Sequence, residues 1–535
     1  MPRTGRLSPV ASARFRPRNT LAAALLLLAS LALQGSDRIS ASTRPQFTRV
    51  PSVQKNPNPA VPLAAILTFA TDRPVRAALY LKDNRSTRFL FESPSFQTEF
   101  SLPILGLHAA TTHAIHVVIT DQSGNEASWI RPLMFRSDPL PSDFPLLQTS
   151  AGNAQGMEPG ITLCNLNQAG IGLMVAVDER GEVIWYYRQT AQGIGDIRRT
   201  GDGHLLFMDA DSIVEIDMLG NVYQQWRPAD LGLDTFHHEI YEMVSGHFLT
   251  LSTEARPLPD YPTSETNPAA PAAAANVVGD VVAEFDRSGR VFQRWSLLDI
   301  LDPYRIAFDS LGMQWNSTYP GLPGGTRDWS HGNAVIEDRR DDSYIVSLRN
   351  QDALVKIDRK TGGLVWILGT PEGWNAPWNR YLLRPVGAIE WPYHQHAPEI
   401  TPDGTILLFD NGNFRHRPFD QLPTRSYSRV AEFKVDEKNM TVSQVWSYGP
   451  DQELFYSGAV GDADLLPVSK NILVTDGFRV TEGIPDNRWA RIFEITRATP
   501  AQKVFELTIR DAPGSNYGGW RVYRAERLPS LYPTQ

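Results

Sequence analysis

Cysteine is nearly absent from this chain, which has only Cys164 among 535 residues. A single cysteine cannot form an internal disulfide, and it excludes a metal site built on several cysteine ligands. A net positive charge is also lacking, because 51 Lys and Arg stand against 59 Asp and Glu, and no dense Lys/Arg run follows the N-terminus. Nucleic acid is therefore not an expected partner. The repeat region also lacks a P-loop, a Rossmann glycine pattern and a zinc-protease motif.

The N-terminus combines basic residues with a short apolar run. MPRTGRLSPVASARFRPRNT carries five arginines and no acid, and LAAALLLLASLALQ follows it. A basic segment before an apolar run too short to span a bilayer comfortably predicts a secretory signal, here over residues 1–41. The expected location is periplasmic or secreted. An uncleaved N-terminal anchor is the alternative, and no other membrane contact is expected.

Residues 45–140 contain short runs in which apolar and polar residues alternate, such as AAILTFAT, RAALYLK and HAIHVVITD. Alternation of this kind with turn signals between the runs predicts a small β-sandwich domain of fibronectin III-like character. The proline-rich stretch SDPLPSDFP then indicates a domain boundary.

Residues 141–535 repeat one degenerate unit, in which an apolar strand ends at Asp, a turn follows, and a second strand ends on Trp. A further strand pair precedes the later copies, so each repeat has four strands, the content of a propeller blade. The sequence thus predicts an all-β protein with a six-bladed β-propeller, and seven or eight blades remain open. The units end at Trp185, Trp226, Trp295, Trp366, Trp446 and, in a weaker copy, Phe505.

The first repeat is one strand short, whereas GWRVYRAERL at the C-terminus belongs to no repeat. We expect this last strand to close the ring by completing the first blade, because otherwise the terminal blades would leave open edges. Two insertions, residues 255–276 and 302–327, are expected to decorate the binding face.

Histidines recur near the start of the inner strands. His238 lies eight residues before Gly246, and His396 lies eight residues before Gly404. His331 occupies the corresponding place in the intervening repeat if the turn of that repeat, DRRDD, is three residues longer. Three consecutive blades would then present an imidazole at one mouth of the channel.

Two further side chains strengthen this interpretation. Asn333 follows His331 by two residues, and Arg349 falls at the top of the adjoining strand. An amide, a guanidinium and three imidazoles suit a tetrahedral oxyanion such as sulfate or phosphate. Structural histidines, an interblade salt bridge of Arg349, or a histidine-bound metal such as zinc are the alternatives.

Several segments resemble the bacterial arylsulfate sulfotransferase family: DWSHGNAV, SLRNQDALVKIDRKTGGLVWILG, HQHAPEITPDGTILLFDNGNFR and HHEIYEMVSGHFLTL. The resemblance covers roughly Glu158 to the C-terminus. It implies a six-bladed propeller that transfers a sulfuryl group from a phenolic sulfate to a phenol, independently of phosphoadenosine phosphosulfate. It further implies ping-pong kinetics through a sulfohistidine, with no cofactor and no metal.

Residue by residue, the resemblance assigns the sulfo-accepting histidine to His396 and the family's H-x-N pair to His331 and Asn333. It assigns the family's arginine to Arg349. The remaining histidine corresponds to His238, with His237 as the alternative.

One departure concerns the last blade, where Asp462 stands at the position of the family's threonine. Some members of the family also have a disulfide, which Cys164 alone cannot form. Four aromatic residues near the predicted rim could stack on an aryl ring or simply pack between blades: Phe236, Trp329, Trp391 and Tyr393.

Two other function classes remain open from the sequence. One is a quinoprotein-like propeller dehydrogenase, which would need calcium and a large planar cofactor. The other is a non-catalytic propeller that binds partners. A homodimer is a further expectation.

Overall fold

The computed structural model describes residues 44–151, 156–168, 170–190, 192–210, 212–420, 425–481, 484–515 and 518–533. The predicted signal over residues 1–41 lies outside these residues. The predicted all-β class is confirmed. The helical elements of the described part are α1 (Leu297–Ile300) and short 3-10 turns at Pro228–Leu231, Gln314–Asn316, Arg349–Gln351 and Trp378–Tyr381. No described helix is long and apolar enough to cross a membrane.

Seven strands form one hydrogen-bonded sheet at the N-terminal end of the described chain. They are β1 (Phe47–Lys55), β2 (Ala65–Lys82), β3 (Thr87–Glu92), β4 (Gln97–Ile104), β5 (Thr112–Asp121), β6 (Glu126–Ser128) and β7 (Leu133–Arg136). The first half of β2 pairs with β1 and β4, and its second half pairs with β3 and β5. Alternate residues of β2 are buried, as its sequence pattern predicts.

Six further sheets follow, numbered here in chain order, and their strands pair antiparallel except for two short edge strands in sheets 3 and 5. The chain first forms β8 (Leu146–Ala151) and then enters sheet 1 with β9 (Ile161–Gln168), β10 (Ile171–Val177) and β11 (Val183–Thr190). Sheet 2 consists of β12 (Ile197–Arg199), β13 (Leu205–Met208), β14 (Ile213–Ile216) and β15 (Val222–Trp226). Sheet 3 consists of β16 (His237–Glu242), β17 (Phe248–Tyr261), β18 (Ala273–Phe285), β19 (Val291–Ser296) and the short β20 (Thr326–Asp328).

Sheets 4 to 6 repeat the same meander. Sheet 4 consists of β21 (Gly332–Asp338), β22 (Ser343–Leu348), β23 (Ala353–Asp358) and β24 (Leu364–Gly369). Sheet 5 consists of β25 (Arg384–Pro385), β26 (His396–Ile400), β27 (Ile406–Asp410), β28 (Arg429–Asp436) and β29 (Thr441–Tyr448). Sheet 6 consists of β30 (Asp462–Leu465), β31 (Ile472–Thr481), β32 (Ile484–Ile495) and β33 (Lys503–Arg510), and the last strand of the chain is β34 (Ala525–Leu528).

The recurring tryptophan joins one sheet to the turn of the next. Trp185 is fully buried, and its indole N–H donates to the Met218 carbonyl at 2.9 Å, beside the β14–β15 turn. Trp366 likewise donates to Glu437 at 2.9 Å, in the turn after β28. Buried aromatic area and a satisfied N–H both favour this contact. The repeated Trp thus holds neighbouring sheets together.

The two ends of the repeat region are built into adjacent sheets. The C-terminal β34 pairs with β9 and completes sheet 1, from Ala525 opposite Cys164 to Leu528 opposite Ile161. This confirms that the last strand completes the first sheet of the repeat region. In addition, β8 pairs with β33 and extends sheet 6, which the sequence analysis did not foresee.

We expect truncation after Arg510 to abolish soluble folded protein, because it exposes an edge of sheet 1 and removes buried Leu528 and Tyr532. The matched variant Tyr532→Phe keeps β34 and loses only the hydroxyl contacts to Leu105 N and Pro103 O, at 2.8 and 3.1 Å. It should fold with a loss of about 1–3 kcal/mol. Expression followed by thermal unfolding checks both, and a truncated chain that unfolds cooperatively near the wild-type temperature would contradict the prediction.

Candidate active site

The predicted site residues come from irregular backbone at the start of three inner strands. The ladders of β16, β21 and β26 each have a register shift at this end. His238 and His331 adopt left-handed φ values of 63° and 43°, and Ala397, next to His396, has a φ of 48°. Such strain in non-glycine residues is concentrated at functional sites, and bulges re-aim side chains.

The ladder also revises the predicted alignment. His396 pairs with Phe409, which lies three residues after the first residue of β27. In sheet 3 the equivalent residue of β17 is Leu251, and it pairs with His237 instead of His238. The bulge nevertheless turns His238 toward the neighbouring sheet, where its ring centroid lies 4.8 Å from that of His331. Of His237 and His238, it is His238 whose ring lies next to that of His331, so we assign His238 to the candidate site.

His396 is buried, and its Nδ1 has two acceptor neighbours. Asn411 Oδ1 lies at 2.6 Å and the His394 carbonyl at 3.1 Å. The orientation of the Asn411 amide is fixed because its Nδ2 donates to the Ser457 and Val460 carbonyls at 2.7 and 2.8 Å. Nδ1 of His396 must then carry the ring proton. Its Nε2 keeps an unshared electron pair.

The electrostatic surroundings hold this ring in its neutral form. Burial, followed by the nearby charge of Arg349, lowers the pKa of His396 to about 3. Burial also holds the pKa of His238 well below its usual range, and His331, His237, His396 and Arg349 lower it further. At neutral pH the His396 imidazole is thus an uncharged ring with the electron pair that a nucleophile needs.

His331 forms a dyad with Asp328. Its Nδ1 lies 2.5 Å from Asp328 Oδ2, while Asp328 Oδ1 accepts the indole N–H of Trp315 at 2.7 Å. Because the carboxylate accepts a hydrogen bond from Nδ1, the other ring nitrogen, Nε2, is free to exchange a proton with a ligand. The arrangement suits a general acid or base.

His237 lies behind His238 and orients it. The two Nδ1 atoms are 2.9 Å apart, and His237 Nε2 lies 3.3 Å from the Ser252 carbonyl and 3.1 Å from Asp280. Since both neighbours of Nε2 are acceptors, that nitrogen carries the ring hydrogen of neutral His237, and His237 Nδ1 accepts from His238 Nδ1. In this pair of neutral rings, Nε2 of His238 keeps an electron pair.

Arg349 begins the 3-10 turn after β22, and its backbone N–H donates to the His331 carbonyl at 3.2 Å. The guanidinium contacts Asp309 at 3.0 Å, and the same carboxylate lies 3.4 Å from His394 Nε2. On its other side, His394 Nδ1 lies 2.9 Å from Asp352. Although burial and Arg349 oppose protonation, the two carboxylates raise the pKa of His394. Asp309, His394 and Asp352 therefore form a connected series of charged groups that holds Arg349 in place.

Asn333 and Tyr523 complete the described surroundings. Asn333 is buried, and its Nδ2 donates to the Gln395 carbonyl at 2.7 Å, which leaves one amide hydrogen for a ligand. His331 precedes β21 and the ladder shifts register beyond Gly332, so the spacing of two residues does not place Asn333 and His331 on one face of a regular strand. The Tyr523 hydroxyl donates to the Asn333 carbonyl at 3.0 Å, and its ring lies 6.0 Å from that of His238.

Asp462 and the predicted rim aromatics have other roles. Asp462 is buried and pairs with Arg524 at 3.3 Å, and Arg524 also binds Asp196 at 2.5 Å. Trp329 is fully buried and donates to the Arg305 carbonyl, so it cannot stack on a ligand. Phe236 is part of one hydrophobic cluster, and Trp391 packs against another. Burial raises the pKa of Tyr393 to about 12.

Three clusters in the described residues have metal-like ligand sets, and none contains a site histidine. Lys356 occupies one of them, with its ammonium 2.8 Å from Asp338 and 2.7 Å from Asp341. Arginines bind the other two. A cationic side chain in such a cluster takes the place of a metal ion. The clusters are His108, Asp178 and Glu182; Asp202, His204 and Glu215; and Asp338, Asp341 and Glu437.

The depressed pKa of His396 predicts a pH effect on stability. Its ordinary value is 6.5 and its folded value about 3, so between these pH values the unfolded chain binds a proton that the folded chain does not. Acidification through this range therefore lowers the free energy of unfolding. Glu239 and Glu399 act in the opposite sense, because burial raises the pKa of each to about 7.

The contribution of His396 is isolated by comparison with His396→Asn. Urea unfolding of both proteins between pH 6.5 and pH 4 should show a steeper loss of stability on acidification for the wild type, because only it has the buried imidazole. Equal pH slopes would mean that this ring is protonated at its ordinary pKa.

Comparison with known proteins gives the family. The arylsulfotransferase (ASST) family matches residues 147–521. An arylsulfate sulfotransferase AssT of Escherichia coli O6:H1 is 31% identical over 334 residues, which is 52% of this chain and 53% of that protein. One from Lelliottia amnigena is 30% identical over 335 residues, with the same coverage. The match therefore spans about half the length of these curated relatives.

Among solved structures, a Bacteroides caccae protein of unknown function is similar over 64% of this chain and 91% of its own, at 11% identity and a TM-score of 0.36. That likeness is too distant to carry an argument. The sequence match over residues 147–521 is sufficient: the chain belongs to the arylsulfotransferase (ASST) family.

Proposed function

We propose that this protein is an aryl sulfotransferase that transfers a sulfuryl group from a phenolic sulfate to a phenol, independently of phosphoadenosine phosphosulfate. The observation that carries the proposal is the tautomer of His396. Asn411 and the His394 carbonyl hold its Nδ1 proton, which leaves a bare Nε2, and the charge of Arg349 helps to keep the ring neutral. A neutral imidazole with one free nitrogen is the nucleophile that sulfuryl transfer through a covalent intermediate needs.

In the first half-reaction, His396 Nε2 attacks the sulfur of the donor. The N–S bond forms as the bond between sulfur and the aryl oxygen breaks. The phenolate then takes a proton from His331 Nε2, and Asp328 holds the ring so that this nitrogen faces the leaving oxygen. The products are a sulfohistidine and a free phenol.

In the second half-reaction, His331, now neutral, acts as a base. His331 takes the proton of an acceptor phenol, whose oxygen attacks sulfur while the N–S bond breaks. His396 is regenerated with its Nδ1 proton unmoved. Because donor product leaves before the acceptor reacts, the kinetics are ping-pong.

Fixed positive charge compensates the negative charge on the three sulfuryl oxygens. Arg349 is held rigidly by Asp309 at 3.0 Å, and Asn333 retains one amide hydrogen. Donors fixed before the reaction stabilise a transition state without reorganisation.

The architecture is proposed to be a six-bladed β-propeller preceded by a fibronectin III-like domain. Six sheets of four or five strands follow one another, and β34 joins the end of the chain to sheet 1. The basic and apolar residues 1–41 support export, so the proposed site of action is the periplasm or the exterior of the cell.

The test uses p-nitrophenyl sulfate as donor and phenol as acceptor, with no nucleotide added. We expect nitrophenol release that accelerates with phenol, together with phenyl sulfate as product. Peptide mapping after incubation with donor alone should place the added sulfuryl group on the peptide that contains His396. Release that is independent of phenol would indicate a hydrolase, and no release would contradict the proposal.

A further inference from the structure

A surface groove of about 440 Å³ lies beside the candidate active site. Its volume falls in the range of small-molecule sites, about 300–1,000 Å³. Leu454, Tyr456 and Val480 line it and are 44%, 42% and 46% exposed, respectively. Large apolar side chains that share one concave surface mark a place where a ligand is bound.

The wall of the groove belongs to the loop that supports His396. Residues 449–461 connect β29 to β30 and contribute Tyr456 and Gly458 to the lining. The same loop supplies the two carbonyls that orient Asn411, and the Gly458 carbonyl accepts from Asn413 at 2.8 Å. A ligand in the groove therefore lies against the backbone that positions the nucleophile.

Electrostatic coupling also connects the groove to the site. Burial raises the pKa of Tyr456, whereas the positive charge of Arg349 lowers it and the negative charge of Asp309 raises it. Arg349 is the arginine that we propose binds the sulfuryl group, and Asp309 is the carboxylate that holds it. Tyr456 thus lines the groove and lies within electrostatic range of Arg349 and Asp309.

The positive charge of the residues that line the groove favours an anionic ligand. Arg425 and Arg479 are the charged side chains that line the groove, and no carboxylate lines it among the described residues. Arg479 contacts Asp476 at 2.6 Å, and Arg491, which shares that carboxylate at 2.8 Å, also binds Glu453 at 2.6 Å. An aromatic and apolar wall with a cationic edge complements an aryl ring that carries an anionic substituent.

A larger cavity of about 550 Å³ is a poorer candidate for the same ligand. Two buried arginines line it, Arg305 and Arg417, and each has one terminal nitrogen without a hydrogen-bond partner. Its lining also contains four carboxylates, which repel an anion. These are Asp260, Asp302, Glu372 and Asp420.

We propose that the groove binds the acceptor, and that the acceptor is a phenol with a second, anionic group such as a carboxylate. The inference rests on the proposed function. The aryl ring lies along Tyr456, and Arg425 and Arg479 bind the anionic group. The phenolic oxygen forms the new O–S bond, the N–S bond to His396 breaks, and the phenolic proton passes to His331.

A pair of acceptors that differ in charge tests the proposal with the full chain and p-nitrophenyl sulfate as donor. The pair is 4-hydroxyphenylacetate and its methyl ester, whose phenol groups are closely matched in acidity. We expect kcat/KM to be about tenfold or more higher for the anion, the scale of a hydrogen bond to a charged group. In Arg425→Gln and Arg479→Gln this preference should fall, while kcat/KM for the ester stays unchanged.

The aromatic wall is tested separately with Gly458→Ala and Tyr456→Ala. A Cβ at position 458 would lie 3.0 Å from the Tyr456 hydroxyl oxygen, so the ring must shift. Both variants should raise KM for both acceptors and leave the burst of nitrophenol from the first half-reaction intact. An unchanged burst also shows that each variant is folded.

The outcomes separate the two proposals. Equal use of the acid and the ester by the wild type, with no change in either arginine variant, would overturn the groove as an anionic-acceptor site while transfer itself remains. Absence of a burst and of transfer to any acceptor would instead contradict the proposed sulfotransferase function.

Discussion

Substitution of His396 by asparagine is expected to lower kcat for aryl sulfotransfer by about 10⁴-fold or more, the scale seen when a covalent nucleophile is removed. The amide has no nitrogen electron pair with which to attack sulfur. It can still donate toward Asn411 Oδ1, which lies 2.6 Å from His396 Nδ1 in the wild type. The cost in stability should therefore be small, about 1 kcal/mol.

Steady-state rates, the nitrophenol burst and peptide mapping all measure this effect. The variant should show no burst and no sulfuryl group on the corresponding peptide. His116→Asn is the matched control, because His116 lies on β5 of the N-terminal sheet. If the variant at position 396 kept even a few per cent of wild-type activity, the nucleophile would have to be another residue.

Substitution of His331 by asparagine should produce a loss that depends on the leaving group. A general acid contributes about 10²–10⁴-fold when the leaving oxygen needs a proton. We expect a loss of that size with phenyl sulfate, whose phenol has a pKa of about 10, and a much smaller loss with p-nitrophenyl sulfate. The measurement is kcat/KM across a series of substituted phenyl sulfates.

Asp328→Asn provides a second variant of the same dyad. An amide at this position can accept from His331 Nδ1 or donate to it, so the tautomer is no longer fixed by the contact at 2.5 Å. The slope of log kcat/KM against leaving-group pKa should steepen in both variants. Losses that are uniform across the series would assign His331 to binding the sulfuryl oxygens instead.

The repeat architecture was largely predictable because its signals are local. Strand alternation, the Asp-containing turns and the terminal tryptophans all lie within a few residues of one another. Completion of sheet 1 by β34 followed from counting strands. The pairing of β8 with β33 did not, because it joins Leu146 to Arg510 with no repeat in the sequence to indicate it.

The candidate site was predictable only in part. The proximity of His238 and His331 followed from their places in successive repeats. The choice between His237 and His238 did not, because a register shift reverses the facing of side chains. Asp328, only three residues before His331, could have been recognised as its partner from spacing alone.

The supporting residues depend on side-chain packing that no pattern in the sequence reveals. Asn411 reaches His396 from the end of β27, and Asp309 reaches Arg349 from the insertion over residues 302–327. The prediction that this insertion decorates the binding face was useful, but it could not identify which of its side chains would contact the arginine. His394 was missed because its role requires two carboxylates from different sheet connections.

The pairing of β34 with β9 has a consequence for when catalysis can begin. His238, His331 and His396 come from three different sheets of a series whose first sheet is completed only by Ala525–Leu528. Tyr523, which touches Asn333, arrives with the same segment. We therefore expect a chain that is still being synthesised to stay inactive until its tail docks on β9.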